Sequence, residues 1–226
     1  MSAPAREIRF LATRSSGEVS ALLIRPRDAF ALYVFSHGAG AGMRHVFMEE
    51  FSQALAKHGV ATFRYHFPYM EAGRRAPSPR PVLLKTVRAA VHAAGEAAPD
   101  LPRFAGGKSM GGRMTSMAAA AESLPEIRGL VFVGFPLHPA GRESTDRGDH
   151  LADVSVPLLF LQGTRDKLAQ LDLLRPIVSP LDCHATLHEV EGADHGFSVL
   201  KRSGRTDADV MRELAETSAA WMRDRA

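Results

Sequence analysis

The residue best placed for covalent chemistry in this 226-residue chain is Ser109, at the centre of Gly107-Lys108-Ser109-Met110-Gly111. This G-x-S-x-G pattern lies between an apolar run, Leu101 to Ala105, and a Met- and Ala-rich stretch, Met110 to Ala121, that reads as a helix. Strand, sharp turn and helix form the context in which this pattern presents a nucleophile. The turn strains the serine backbone and draws strand and helix together, and glycine, lacking a Cβ, permits that approach on both sides. The Ser109 hydroxyl then stands above the end of a sheet, at the positive end of a helix, where a developing oxyanion is stabilised.

Serine attacks a carbonyl only when a base takes its proton, and an imidazole needs a carboxylate to fix its tautomer. Where a nucleophile sits on such an elbow, the acid and then the histidine follow it along the chain, each just beyond a strand. The run Leu158 to Gln162 is followed by Gly163-Thr164-Arg165-Asp166, and Val190 is followed by Glu191-Gly192-Ala193-Asp194-His195. Ser109, Asp166 and His195 are therefore the expected nucleophile, acid and base. Asp166 also has the place of a cap for a helix starting at Lys167. Asp194 and Asp172 are rival acids, although side chains adjacent in an extended segment point apart.

An oxyanion needs two N–H donors. Met110, directly after the nucleophile, supplies one; Ala39, with Gly40 next, is expected to supply the other from His37-Gly38-Ala39-Gly40-Ala41-Gly42. That glycine loop also admits a plain turn or a phosphate-binding loop, and His37 reads as a structural hydrogen-bonding residue. Gly-Lys-Ser invites a nucleotide reading, but the phosphate loop requires glycine where this chain has Pro102. His184 and His188 flank a strand-like segment that separates them by roughly 13 Å, too far to share one metal ion. No metal site is expected. Ser198 and Lys201 match S-x-x-K without its companion motifs, and Cys183 is not placed as a nucleophile.

The elements that must position these residues alternate along the chain. Strands are expected at Glu7–Thr13, Val19–Arg25, Ala31–Ser36, Val60–Tyr65, Leu101–Ala105, Gly129–Val133, Pro157–Gln162 and Ala185–Val190, and helices at Val46–His58, Val82–Ala97, Met110–Ala121, Leu168–Val178 and Ala208–Arg223. An opening antiparallel pair followed by alternating strands and helices implies an α/β fold: a mostly parallel twisted sheet of about eight strands with helices on both faces. Active sites in such sheets gather at the carboxyl ends of the strands. The loops after the strands are short, so no large lid domain is expected; only 66–81 and 136–155 can cover the site. They bring Tyr69, Arg74, Arg75 and His138 toward the mouth as candidate substrate contacts. Lys201, Arg202 and Arg205 follow His195 and extend a basic rim, which favours an acyl substrate carrying a negative group. The alternative is that these cations are ordinary solvated charges or pair with Glu71 and Asp207.

Composition narrows the classes. The length suits one domain spanning 1–226. The chain contains no apolar run of membrane-spanning length, its first residues lack the order of a secretory signal, and its single cysteine fits a reducing compartment. A cytoplasmic protein is the expectation. A net charge of +3 without a charge run argues against nucleic acid as a partner.

With these residues assembled, the chain resembles the α/β-hydrolase superfamily over almost its whole length. The branch it resembles is related to dienelactone hydrolases and contains testis-expressed protein 30 and the hydrolase-like domain of a chromatin NSL-complex subunit. The resemblance rests on Ser36 to Gly40, Phe67 to Glu71 with Gly73 to Arg75, Gly106 to Arg113, Gly134 to Pro139, Gly163 to Asp166 and Gly192 to His195. It implies the α/β-hydrolase fold, the serine, acid and histidine already derived, no required cofactor and a small-molecule acyl substrate. Dienelactone hydrolases use a cysteine nucleophile where this chain has Ser109, a departure that puts lactone hydrolysis in doubt. The expected function is serine-dependent cleavage of a carboxylic ester or thioester. The chromatin relative implies the alternative, a hydrolase-like fold kept as a non-catalytic module for a partner protein.

Overall fold

The computed structural model describes residues 4–226, apart from the side chains of residues 182 and 183. The expectation for Cys183 and the reading of the first three residues lie outside the described residues. Eight strands form one sheet: β1 (Ala5–Thr13), β2 (Gly17–Ile24), β3 (Ala31–Ser36), β4 (Val60–Tyr65), β5 (Arg103–Lys108), β6 (Ile127–Val133), β7 (Leu158–Gly163) and β8 (Ala185–Val190). Their order is β1-β2-β4-β3-β5-β6-β7-β8. β1–β2 and β2–β4 pair antiparallel and the remaining pairs are parallel.

The parallel strands are apolar at successive positions because both faces of the sheet are covered. In β6, Leu130 and Phe132 face one core, with residues of α3 (Arg80–Ala97), α4 (Met110–Ala121) and α5 (Leu171–Val178). Val131 and Val133 face the other, with residues of α1 (Val46–Lys57) and α6 (Asp207–Arg223). α6 starts on a capping box: the Thr206 side chain accepts from the Asp209 N–H, and the Asp209 side chain from the Thr206 N–H.

Three elements differ from their expected form. β5 continues through Gly106 and Gly107 to Lys108, because parallel pairing sets Ser36 against Gly107 and Val133 against Lys108. α5 begins only at Leu171, leaving 167–170 as a turn. The 66–81 loop contains a short helix, α2 (Pro68–Glu71), with Pro68 in its first turn, where the missing N–H costs nothing. Among the described residues no separate lid domain covers the sheet end.

Candidate active site

Ser109 joins β5 to α4 with φ 52° and ψ −120°, a conformation that L-residues adopt only under strain. Its N–H is held by the Val133 carbonyl at 3.1 Å. The flanking glycines are a steric requirement. A Cβ on Gly107 would lie 2.2 Å from Ser36 Oγ, and one on Gly111 would lie 2.5 Å from the Ser36 carbonyl oxygen. Beneath the elbow, Ser36 Oγ donates to the Gly106 carbonyl at 2.5 Å and Thr115 Oγ1 to the Gly111 carbonyl at 3.0 Å. Nothing in the sequence marked the role of these two buried hydroxyls.

The ends of β5, β7 and β8 bring Ser109, Asp166 and His195 together. Ser109 Oγ lies 2.8 Å from His195 Nε2, and His195 Nδ1 lies 2.7 Å from Asp166 Oδ2. An ionised carboxylate only accepts, so Nδ1 carries the proton and Nε2 accepts from the serine hydroxyl. Asp166 is buried and fully engaged: Gln162 Nε2 donates to Oδ2 at 2.6 Å and the Leu168 N–H to Oδ1 at 2.8 Å. Gln162 Oε1 in turn accepts from the Phe135 N–H at 2.9 Å. The capping expected of Asp166 therefore goes to the turn before α5, and Gln162 is a supporting residue that the sequence did not single out. The rival Asp194 is occupied elsewhere, its Oδ1 accepting from the N–H groups of Gly196 and Ser198 at 2.8 and 3.0 Å.

The glycine loop passes the nucleophile at Gly38, where an added methyl would make ordinary contact with Ser109 Cβ at 3.6 Å. His37 is buried and anchors this loop: Nδ1–H donates to the Gly38 carbonyl at 2.7 Å and Nε2 accepts from the Phe67 N–H at 3.1 Å. Burial, with His66 nearby, pushes its pKa down to about 4, so the ring is neutral, as its structural role requires. Ala39 and Met110 N–H groups make no hydrogen bond among the described residues. Gly40 is different. Its N–H donates to the Tyr69 hydroxyl at 3.1 Å, which removes it from the oxyanion donors.

That bond also corrects the expectation for Tyr69, which is buried and props the loop from below. His138 is likewise buried, with Nδ1 on the Pro139 carbonyl at 2.9 Å and Nε2 on Gln170, so it offers no free nitrogen to a substrate. Arg74 and Arg75 are exposed and make no side-chain hydrogen bond among the described residues. Glu71 pairs instead with Ser20 and Arg9, and Asp207 with Ser198 and Val199, so the ion pairs considered for the rim do not form. Arg205 is tied to Glu213.

A different basic cluster joins α4 to α3 and the 136–155 loop: Arg113, Arg80 and Arg147. Arg113 stands one turn into α4, its N–H on the Ser109 carbonyl at 3.2 Å, and its Nε is buried without a partner. Burial first, then repulsion from Arg147 and Arg80, lowers its pKa to about 10. Among the described residues none of these three arginines meets a carboxylate. The neighbouring His150 hydrogen-bonds Ser116 Oγ at 2.8 Å and feels Arg113 and Arg80. Pairing of Arg80, Arg113 and Arg147 across three segments leaves no local signature in the sequence.

No helix among the described residues is long and apolar enough to cross a membrane. A family model described as "Alpha/beta hydrolase domain" matches residues 29–223. Among solved structures, the chain is similar to a dienelactone hydrolase from Anabaena variabilis, at 17% identity and a TM-score of 0.79, covering 100% of this chain and 99% of that one. It is also similar to an α/β serine hydrolase without lid from Xanthomonas campestris, at 18% identity and TM-score 0.72, over 96% and 94% of the two chains. Est1E from Butyrivibrio proteoclasticus, with ferulic acid bound, superposes at 17% identity and TM-score 0.69, over 92% and 95%. With the fold, the strained serine and the family match in agreement, the chain belongs to the alpha/beta hydrolase family of enzymes.

Proposed function

We propose that the protein is a serine hydrolase that cleaves a carboxylic ester or thioester through an acyl-enzyme on Ser109. The observation that carries this reading is the unbroken hydrogen-bonded chain from Ser109 Oγ through His195 to Asp166, at 2.8 and 2.7 Å. His195 Nε2 takes the hydroxyl proton as Oγ attacks the carbonyl, and Asp166 stabilises the imidazolium. The Met110 and Ala39 N–H groups receive the oxyanion. Collapse of the tetrahedral adduct expels the alcohol or thiol, which leaves with the proton from Nε2. Water then attacks the acyl group, His195 accepting its proton, and the acid departs as Oγ is reprotonated.

We infer further that the preferred substrate carries a negative group, which Arg113, Arg80 and Arg147 receive. The cluster of Arg113, Arg80 and Arg147 without a carboxylate partner, with Arg113 one helical turn after Ser109, supports this reading; the exposed Arg74 and Arg75 add positive charge.

Fluorophosphonate labelling tests the chemistry. Ser109 should be modified in folded wild-type protein and modification should vanish in Ser109→Ala. An unreactive serine in folded protein would overturn the reading in favour of an interaction module. Hydrolysis of a neutral ester against its carboxylated analogue, at low and high salt, tests the anion preference. Equal rates under both conditions would end it.

A further inference from the structure

Lys108 precedes the nucleophile, and the chemistry proposed above does not use its side chain. Its Nζ donates to the backbone carbonyl of His195 at 2.6 Å. The ammonium also lies 5.6 Å from the ring centroid of Phe47 on α1 and 5.2 Å from that of Phe197, two rings stacked on each other at 5.8 Å. Gly134 makes room for it: a Cβ there would stand 3.1 Å from Nζ and 3.5 Å from His195 Cε1. No carboxylate bonds to Lys108 among the described residues. Asp166 from the turn after β7 and Asp194 from the turn after β8 act on it only through space; α1 contributes an aromatic face.

A desolvated ammonium is an expensive way to fill space beside two stacked phenyl rings, and an apolar side chain would fill it without that cost. What the lysine adds is a charge-assisted hydrogen bond to the residue whose imidazole meets Ser109. The turn carrying His195 needs such a hold. Phe197, two residues on, has φ 66°, a strained value for a bulky residue, and such strain persists only where surrounding contacts impose it. Asp194 closes the turn from within, through the N–H groups of Gly196 and Ser198. Lys108 is the contact that ties this turn to the strand bearing the nucleophile.

We propose that Lys108 is a positioning residue: its ammonium clamps the His195 turn so that the imidazole stays in line between Ser109 and Asp166. The inference rests on the proposed reaction of Ser109 and His195. Burial lowers the Lys108 pKa from 10.5 to about 8, so the clamp is charged at neutral pH and weakens to an ordinary amine hydrogen bond as the pH rises through 8. The stability linkage has the opposite sign. Between about 8 and 10.5 the unfolded chain holds a proton that the folded chain has released, so this group's contribution to stability improves with pH. Loss of rate with gain of stability separates a clamp from a prop.

The test compares wild type, Lys108→Met and Lys108→Arg in kcat, KM, fluorophosphonate labelling rate and the imidazole nitrogen resonances of His195. In Lys108→Met, kcat and labelling should fall on the order of 10- to 100-fold with KM nearly unchanged, as a displaced catalytic group produces. Wild-type kcat should decline above pH 8. Lys108→Arg should keep most of the neutral-pH rate and lose that decline. Wild-type kcat in Lys108→Met, with the same alkaline limb, would overturn the proposal. Should Lys108→Met fail to fold, an unchanged limb near pH 8 in Lys108→Arg would overturn it instead. Wild-type protein that never labels refutes the hydrolase reading separately. The imidazole resonances still decide the clamp, since an equally held ring in Lys108→Met sinks it and a released one upholds it.

Discussion

Gln162 and His195 share one oxygen: both donate to Asp166 Oδ2, at 2.6 and 2.7 Å. The amide fixes the rotamer of the carboxylate before the imidazole reaches it, and Gln162 is fixed in turn by the Phe135 N–H. Gln162→Leu should therefore lower kcat by roughly 10-fold or more, by freeing Asp166 to rotate. It should also cost about 1–3 kcal/mol, because the buried Phe135 N–H loses its acceptor. Steady-state kinetics and denaturant titration on one preparation check both.

Removal of the nucleophile separates chemistry from strain. Ser109→Ala should reduce kcat on the order of 10⁶ while leaving the fold intact. Ser109→Gly should be equally inactive yet more stable than Ser109→Ala by roughly 1 kcal/mol or more, because glycine adopts the observed positive φ without penalty. Thermal melts of the two dead variants measure the strain directly.

The two glycines near the serine should behave in opposite ways. Gly111→Ala drives a methyl to 2.5 Å from a backbone oxygen of β3, so a loss of about 3 kcal/mol is expected, with poor soluble yield. Gly38→Ala meets only ordinary contacts at 3.6 Å and should fold normally. Its methyl crowds the mouth beside Ser109 and should raise KM.

Acid should loosen the glycine loop before it touches the carboxylates. The folded His37 pKa of about 4 lies below its ordinary 6.5, so in that window the unfolded chain binds the extra proton. Stability is fully present above pH 6.5 and is lost progressively down to 4. His66 and His150, both lowered by burial, add in the same direction. Denaturant midpoints at pH 7 and 5 should differ more in wild type than in His37→Asn.

Arg113→Gln should raise KM for a carboxylated ester by roughly 10-fold and leave a neutral ester unaffected, with the difference shrinking in high salt.

The strands, their direction and the residues that meet at their carboxyl ends were legible because each has a local signature. Apolar runs mark strands buried on two faces, and Gly107 and Gly111 mark the elbow. Asp166 and His195 are read from chain order. The supporting contacts were not legible. Gln162 looks like a polar strand end until Phe135 is seen opposite it, and Lys108 reaches a carbonyl 87 residues away. His138 and Tyr69 sit on loops whose paths no periodicity fixes, and both turn inward where the sequence suggested an open mouth.

The edge hairpin β1–β2 has a practical consequence. It precedes the stretch matched by the family model, which begins at residue 29, and the reactive residues hang from β5, β7 and β8. At its tip, Arg14, Ser15 and Ser16 are exposed, far along the sheet order from β7 and β8. The molecule thus has a tolerant shoulder and an exacting heart. A reporter or tether grafted onto the shoulder should leave turnover unaltered, whereas one extra methyl at Gly111 should abolish it.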